Sequence, residues 1–297
     1  MTRYFLYACW ICLLTLTMYL TWALMLGWVG PSAYRVDEVA GQQFLTTQKG
    51  VIRFQTQNIS ERVDAVVLLH GFNGSLNSWS ALWPLIRECG PSVRLDLPGF
   101  GQSFWQSEDY SLARQSRDLM QFVDALDLDR VTLVGTSMGA SLAAWAAAHY
   151  PNRVGALILI APSGYPGSMS IKGFEKLLYQ NIFAHKLARY TAQSAVFNYF
   201  FGNSRLLQAL TVTRSYNAQW LAALARIHQP TWVVWSQTDR RVPFQYGERI
   251  VGLVPSAQLV TAIDAAGHDI PNRDPYPIAK LLCDLQNQRT AKDDTSD

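Results

Sequence analysis

Seven short apolar runs, most of them rich in β-branched residues, recur along this chain at 51–55, 65–69, 92–95, 130–134, 156–160, 231–235 and 257–260. Helical patterns fill the intervals at 76–88, 111–126, 138–149, 243–253 and 275–286. A strand that is apolar throughout has both faces buried, and a parallel neighbour is reached only through a crossover, usually a helix. Strands alternating with 10–15-residue helical patterns therefore predict an α/β protein with a mainly parallel sheet and flanking helices. The rhythm breaks between 165 and 228, which reads as a mostly helical insertion, a cap over the sheet's edge. No internal repeat or low-complexity tract interrupts the remainder.

Charge is scarce. Only 16% of the 297 residues are Asp, Glu, Lys or Arg, against about 25% in an ordinary soluble domain. Part of the deficit lies at the N-terminus, where residues 4–34 carry no such residue. A bilayer-crossing helix needs about 20 apolar residues. Residues 4–30 are thus predicted to be one transmembrane signal anchor, with Trp22, Trp28 and Tyr34 near its far interface. A cleaved signal peptide has a shorter apolar core of about 7–15 residues and small residues at its cleavage site. Gly30-Pro31-Ser32-Ala33 makes a poor site of that kind. Arg3 and the α-amine precede the span, while Asp37 and Glu38 closely follow Arg35. That distribution points to a single-pass protein with a cytoplasmic N-terminus and its domain on the far, periplasmic side. Residues 31–42 read as a linker, 43–287 as the domain and 288–297 as a disordered polar tail. A net charge of +3 gives no argument for a nucleic-acid partner. Four cysteines exclude a disulfide-rich scaffold. Cys89 and Cys283 fall in predicted helices and say little about the redox compartment.

The residues suited to chemistry lie at strand ends. Gly135-Thr136-Ser137-Met138-Gly139 follows an apolar strand and opens a helix, the setting in which G-x-S-x-G acts as a nucleophile elbow. Flanking glycines let strand and helix approach while the serine takes strained backbone angles. A serine nucleophile needs a base, and the base needs an orienting acid. His268, in Ala266-Gly267-His268-Asp269, precedes the last helix, and Asp239 follows the strand at 231–235. Asp264 and Asp269 stand too near His268 in sequence to be preferred. Position 163, where some serine hydrolases carry the acid, is a serine. In Leu69-His70-Gly71-Phe72 the glycine permits a turn that presents the Phe72 amide beside that of Met138, two donors for an oxyanion. His70 is read as shaping that loop, and His149, His185 and His228 as structural or surface residues.

In order along the chain, His70-Gly71-Phe72, Asp96-Leu97-Pro98-Gly99-Phe100-Gly101-Gln102-Ser103, Gly135-Thr136-Ser137-Met138-Gly139, Asp239 and Gly267-His268 resemble the α/β-hydrolase fold superfamily over residues 43–287. Asn73-Gly74-Ser75 and the N-terminal anchor add a likeness to membrane-anchored monoacylglycerol lipases and related bacterial lipases and esterases. The resemblance implies Ser137, Asp239 and His268 as a catalytic triad, the Phe72 and Met138 amides as the oxyanion hole, and no metal or organic cofactor. Ser236 departs from the glycine usual near the acid.

The insertion carries seven basic residues, including Lys172, Lys176 and Lys186, against one acid, Glu175. It also holds an aromatic cluster at Phe197, Tyr199, Phe200 and Phe201. Basic and aromatic residues together suit an anionic membrane surface and acyl chains, and Phe197 and Phe200 are expected substrate contacts beside Phe72 and Met138. The expected activity is hydrolysis of carboxylic esters of lipid-like substrates through an acyl-enzyme. Thioester or C–C bond hydrolysis and perhydrolysis use the same groups, and a non-catalytic lipid- or partner-binding membrane protein is the alternative of another kind.

Overall fold

The structure, a computed structural model, describes residues 7, 10, 13–18, 40–60, 62–105, 107, 109–165, 212, 216 and 218–293. Its strands are β1 (Gln43–Thr47), β2 (Gly50–Gln57), β3 (Val63–Leu69), β4 (Ser92–Leu95), β5 (Phe104–Trp105), β6 (Leu128–Thr136), β7 (Val154–Ile160), β8 (Thr231–Ser236) and β9 (Ala257–Ala262). They form one sheet in the order β1-β2-β4-β3-β6-β7-β8-β9, with β5 paired to β2. The β1–β2 and β2–β4 pairs are antiparallel, and every pair from β4 to β9 is parallel. Besides the helical residues 13–18, the helices among the described residues are α1 (Leu112–Ala125), α2 (Met138–His149), α3 (Ala218–Leu224), α4 (Gln245–Leu253), α5 (Ile270–Arg273) and α6 (Tyr276–Asp293).

The central strands are apolar throughout because both of their faces are covered. Ala65, Val67 and Leu69 of β3 join Leu133 of β6 and Leu157 and Leu159 of β7 in a core completed by α1 and α2. Val66, Leu68, Val134, Ile158 and Ile160 point to the other face, where Trp79, Leu82, Ile86 and the α6 residues Ile278 and Leu282 cover them. Side-chain alternation along a strand divides one apolar run between two cores.

Three sequence expectations change. The helix predicted over 76–88 is two 3₁₀ turns, Leu76–Trp79 and Arg87–Cys89, joined by turns. Pro84 removes a donor from the middle of that stretch. Ser75 caps the first turn by accepting from the Asn77 amide, and the Ser80 hydroxyl takes the Asn77 carbonyl. Such side-chain bonds compete with a regular helix. The helix predicted to end at 286 continues to Asp293, so the expected tail at 288–297 is helical for its first six residues. The end of the insertion also belongs to the body. Trp220, Ala223 and Leu224 of α3 are wholly buried in the core that contains α2.

Cys89 and Cys283 form a disulfide, with their Cα atoms 4.6 Å apart, tying the second 3₁₀ turn to α6. Sequence alone had assigned these two cysteines no role. No helix among the described residues is long and apolar enough to cross a membrane. Most of the span expected at 4–30 lies outside those residues, as do the linker at 31–39 and most of the insertion.

Candidate active site

Ser137 stands between the end of β6 and the start of α2, with φ 53° and ψ −114°. A non-glycine residue reaches such angles only when its surroundings over-determine them. Here the Ser137 amide donates to Ile160 O at 2.8 Å, and its carbonyl accepts from the Ser141 and Ser163 amides at 3.1 and 3.2 Å. The glycines on either side are steric necessities. A Cβ on Gly135 would overlap the Gly139 backbone, and one on Gly139 would overlap the Leu69 carbonyl oxygen. The Ser137 hydroxyl is not used to cap α2.

Asp239 lies three residues beyond the end of β8 and is buried. Its Oδ1 accepts from the Arg241 and Val242 amides at 2.8 and 3.0 Å. Its Oδ2 faces His268 Nδ1 at 2.6 Å. A carboxylate flanked by amide donors is an acceptor, so Nδ1 carries the proton and Nε2 is the free basic nitrogen of that tautomer. Asp269, by contrast, accepts from Asn272 Nδ2, and Asp264 is exposed. The carboxylate brought to His268 is therefore the distant one in sequence.

Ser236, the departure from the family pattern, bridges the acid loop to the histidine loop. Its buried hydroxyl lies 3.1 Å from Thr238 Oγ1 and 3.3 and 3.4 Å from the Ile263 and Asp264 carbonyls. The Thr238 hydroxyl also donates to the Asp264 carbonyl.

Phe72 and Met138 line the same cavity as Ser137. A Cβ on Gly71 would sit 3.3 Å from Ser137 Cβ, so the loop carrying Phe72 presses directly on the serine. Neither the Phe72 nor the Met138 amide donates to a described backbone or side-chain acceptor. Two unspent amides, that of Met138 at a helix start and that of Phe72 in the neighbouring loop, are the usual means of holding a developing oxyanion.

Behind this loop sits a buried polar clamp. His70 Nδ1 donates to the Gly71 carbonyl at 2.7 Å, and Nε2 accepts from the Leu97 amide at 2.9 Å. These two bonds fix a neutral tautomer, and burial pushes the pKa of His70 below its ordinary 6.5 against the attraction of Asp96. Asp96 Oδ2 pairs with Arg53 Nε and accepts from the Gln102 amide, both at 2.7 Å. Its Oδ1 accepts from the Leu76 amide at 2.6 Å. His70 and the motif from Asp96 to Ser103 thus build the loop rather than handle substrate protons. Of the other histidines, His149 stacks on Trp145 and contacts Arg226, and His185 lies outside the described residues, as do Phe197 and Phe200.

Ser137 and His268 open into one cavity of about 790 Å³. Phe72, Met138 and Val212 line it with apolar surface, and Ser163 and Tyr216 line it with hydroxyls 2.7 Å apart. Burial raises the Tyr216 pKa, so the phenol stays protonated. Three arginines also line it, Arg240 and Arg241 beside the acid and Arg273 at the end of α5. Sequence reading passed over Tyr216 and the arginines. The doublet directly after Asp239 was the available signal for two of them. Among the described residues no group of His, Cys, Asp and Glu could hold a metal ion.

An elbow serine, a histidine–carboxylate pair and two spare amides at the carboxyl ends of parallel strands define a hydrolase-type site. Residues 64–271 match the alpha/beta hydrolase fold family, and the chain belongs to it. Its relatives include a 2-hydroxy-6-oxo-6-phenylhexa-2,4-dienoate hydrolase from Burkholderia cepacia, 30% identical over 75% of this chain and 89% of that one. A monoacylglycerol lipase, abhd6-A, from Xenopus laevis is 27% identical over 74% of each chain. Among solved structures, an alpha/beta hydrolase fold protein from Burkholderia ambifaria superposes with a TM-score of 0.66 at 20% identity, over 83% of this chain and 98% of that one.

Proposed function

We propose that this chain is a membrane-anchored serine hydrolase that cleaves carboxylic esters of lipid-like substrates through an acyl-enzyme. The observation that carries the reading is the His268–Asp239 pair opening into the same cavity as the strained Ser137. His268 Nε2 takes the Ser137 proton as Oγ attacks the ester carbonyl. Asp239 holds the imidazole tautomer and stabilises its charge, and the Phe72 and Met138 amides hold the oxyanion. The C–O bond breaks as His268 protonates the leaving alkoxide. Water, activated by His268, then releases the acid. The largely apolar wall at Phe72, Met138 and Val212 supports an acyl substrate, as does the likeness to a monoacylglycerol lipase.

The test is labelling by a fluorophosphonate probe, followed by turnover of monoacylglycerols, short 4-nitrophenyl esters and acyl thioesters in detergent. Wild type should label and Ser137→Ala should not. Folded wild-type protein that fails to label refutes a serine hydrolase and favours a binding protein. A second reading, C–C bond hydrolysis, is favoured by the likeness to the dienoate hydrolase. Turnover of that relative's named substrate faster than of any ester would establish it instead.

The anchor is part of the proposal. Tyr7, Trp10, Leu13, Leu14, Leu16 and Met18 each leave more than half of their surface exposed, which suits a lipid surround. The Cys89–Cys283 disulfide supports a catalytic domain on the outer, oxidising side of the membrane. Alkylation of unreduced cells should leave both thiols unmodified, and a free pair would refute that placement.

A further inference from the structure

The described lining of the cavity carries an excess of positive charge. Arg240, Arg241 and Arg273 line the cavity, and Asp269 is the lone carboxylate among its described lining residues. Asp239 is engaged by His268 and two amides, and Asp269 holds Asn272. Among the described residues neither Arg240 nor Arg241 forms an ion pair, and Arg273 bonds only the Ala265 carbonyl, at 3.3 Å. The insertion has little to neutralise them with, since Glu175 is its single acid between 165 and 228. Three exposed arginines and a single described carboxylate along the cavity that holds Ser137 and His268 create a local positive field.

We infer that the site selects ester substrates bearing an anionic oxygen group, a carboxylate or a phosphate, held by Arg240, Arg241 and Arg273 while the apolar wall takes the alkyl part. A guanidinium presents paired N–H donors that match either group. These residues are specificity determinants and take no part in proton transfer. The inference rests on the serine-hydrolase reading and adds the substrate class to it.

The test compares matched soluble substrates on the full-length protein in non-ionic detergent. One arm sets mono-(4-nitrophenyl) glutarate against 4-nitrophenyl pentanoate. The other sets a short-chain 1-acylglycerol 3-phosphate against the same 1-acylglycerol. Wild type should favour the anionic member in at least one arm by about tenfold or more in kcat/KM, and the arm that responds identifies carboxylate or phosphate. The preference should shrink with ionic strength. Arg240→Gln, Arg241→Gln and Arg273→Gln should lower the ratio of anionic to neutral turnover, and the lysine variants should recover part of it. Arg249→Gln is the charge control, because Arg249 stacks on Tyr165 and Tyr246 outside the cavity lining. A ratio near one in both arms overturns the inference. So does a preference that survives removal of all three arginines, or one that Arg249→Gln lowers equally. Failure of wild type to label with fluorophosphonate strikes the underlying hydrolase reading instead, so the two failures are distinct.

Discussion

Replacing Asp96 by alanine removes one side chain and three interactions, with Arg53 and with the Leu76 and Gln102 amides. The carboxylate is fully buried, and its partner Arg53 is 3% exposed at the side chain. Breaking a buried pair by deleting one member costs about 3–5 kcal/mol, because the remaining charge is left in a poor solvent. The Leu76 and Gln102 amides lose their acceptors as well, at about 1–3 kcal/mol for each donor that stays dry. These costs overlap, since all four groups share one network, and a total of about 4–5 kcal/mol is expected from the cited ranges. Against a total stability of about 5–15 kcal/mol this is severe. For a domain of about 150–250 residues each kcal/mol moves Tm by about 2–4 °C, so Asp96→Ala should melt about 8–20 °C lower. The assay is urea unfolding followed by tryptophan fluorescence, with Trp79 buried close to the lost bonds. The double variant Arg53→Met with Asp96→Ala removes the stranded charge but not the stranded amides. It should therefore recover about 2 kcal/mol or more relative to additivity. An Asp96→Ala protein within about 1 kcal/mol of wild type, or strict additivity in the cycle, refutes the reasoning.

His70 makes stability depend on pH. Its folded pKa is lowered by burial from 6.5, so its contribution is complete above 6.5 and is lost as pH falls through the depressed folded value, where the unfolded chain binds the extra proton. His70→Gln should be less stable at pH 8 yet lose less stability than wild type between pH 7 and pH 5; parallel Tm profiles would count against this. Asp239→Asn keeps the shape of the acid but not its acceptor pattern toward His268 Nδ1. Its ester turnover should fall by about four orders of magnitude at unchanged Tm, and a loss under tenfold would remove Asp239 from the proposed machinery. Cys283→Ser opens a link spanning 194 residues. In the chain-entropy account a loop that long stabilises by up to about 5 kcal/mol, so the variant and the reduced wild type should share one lowered Tm, and an unmoved Tm refutes a structural role.

Legibility in the sequence followed the range of the interactions. The central strands and α2 were readable because their signals are local. An apolar run, a glycine-flanked serine and the start of a helix all fall within a few residues of one another. The same locality misled at 76–88, where the apolar spacing fits a helix but Pro84 and the serine hydroxyls spend the backbone bonds differently. Strand β1 escaped notice because it is a mostly exposed edge strand without a buried face to pattern it. The partnership of Asp239 with His268 came from chain order, and its physical reason lies in the sheet. Strand β9 pairs in parallel with β8, so the loops leaving both strands emerge at one edge. Asp264 and Asp269 are nearer in sequence, but Asp264 is exposed and Asp269 holds Asn272. No pattern foretold the Cys89–Cys283 pairing, because 194 residues separate two cysteines in unrelated elements. The arginines show the same limit from the other side. Arg240, Arg241 and Arg273 look like three separate surface charges along the chain. Only the convergence of the β8 loop and α5 on one cavity makes them a single electrostatic feature. Loops that the parallel sheet gathers at one edge thus bring together the proposed acyl-transfer groups and the charge inferred to select the substrate.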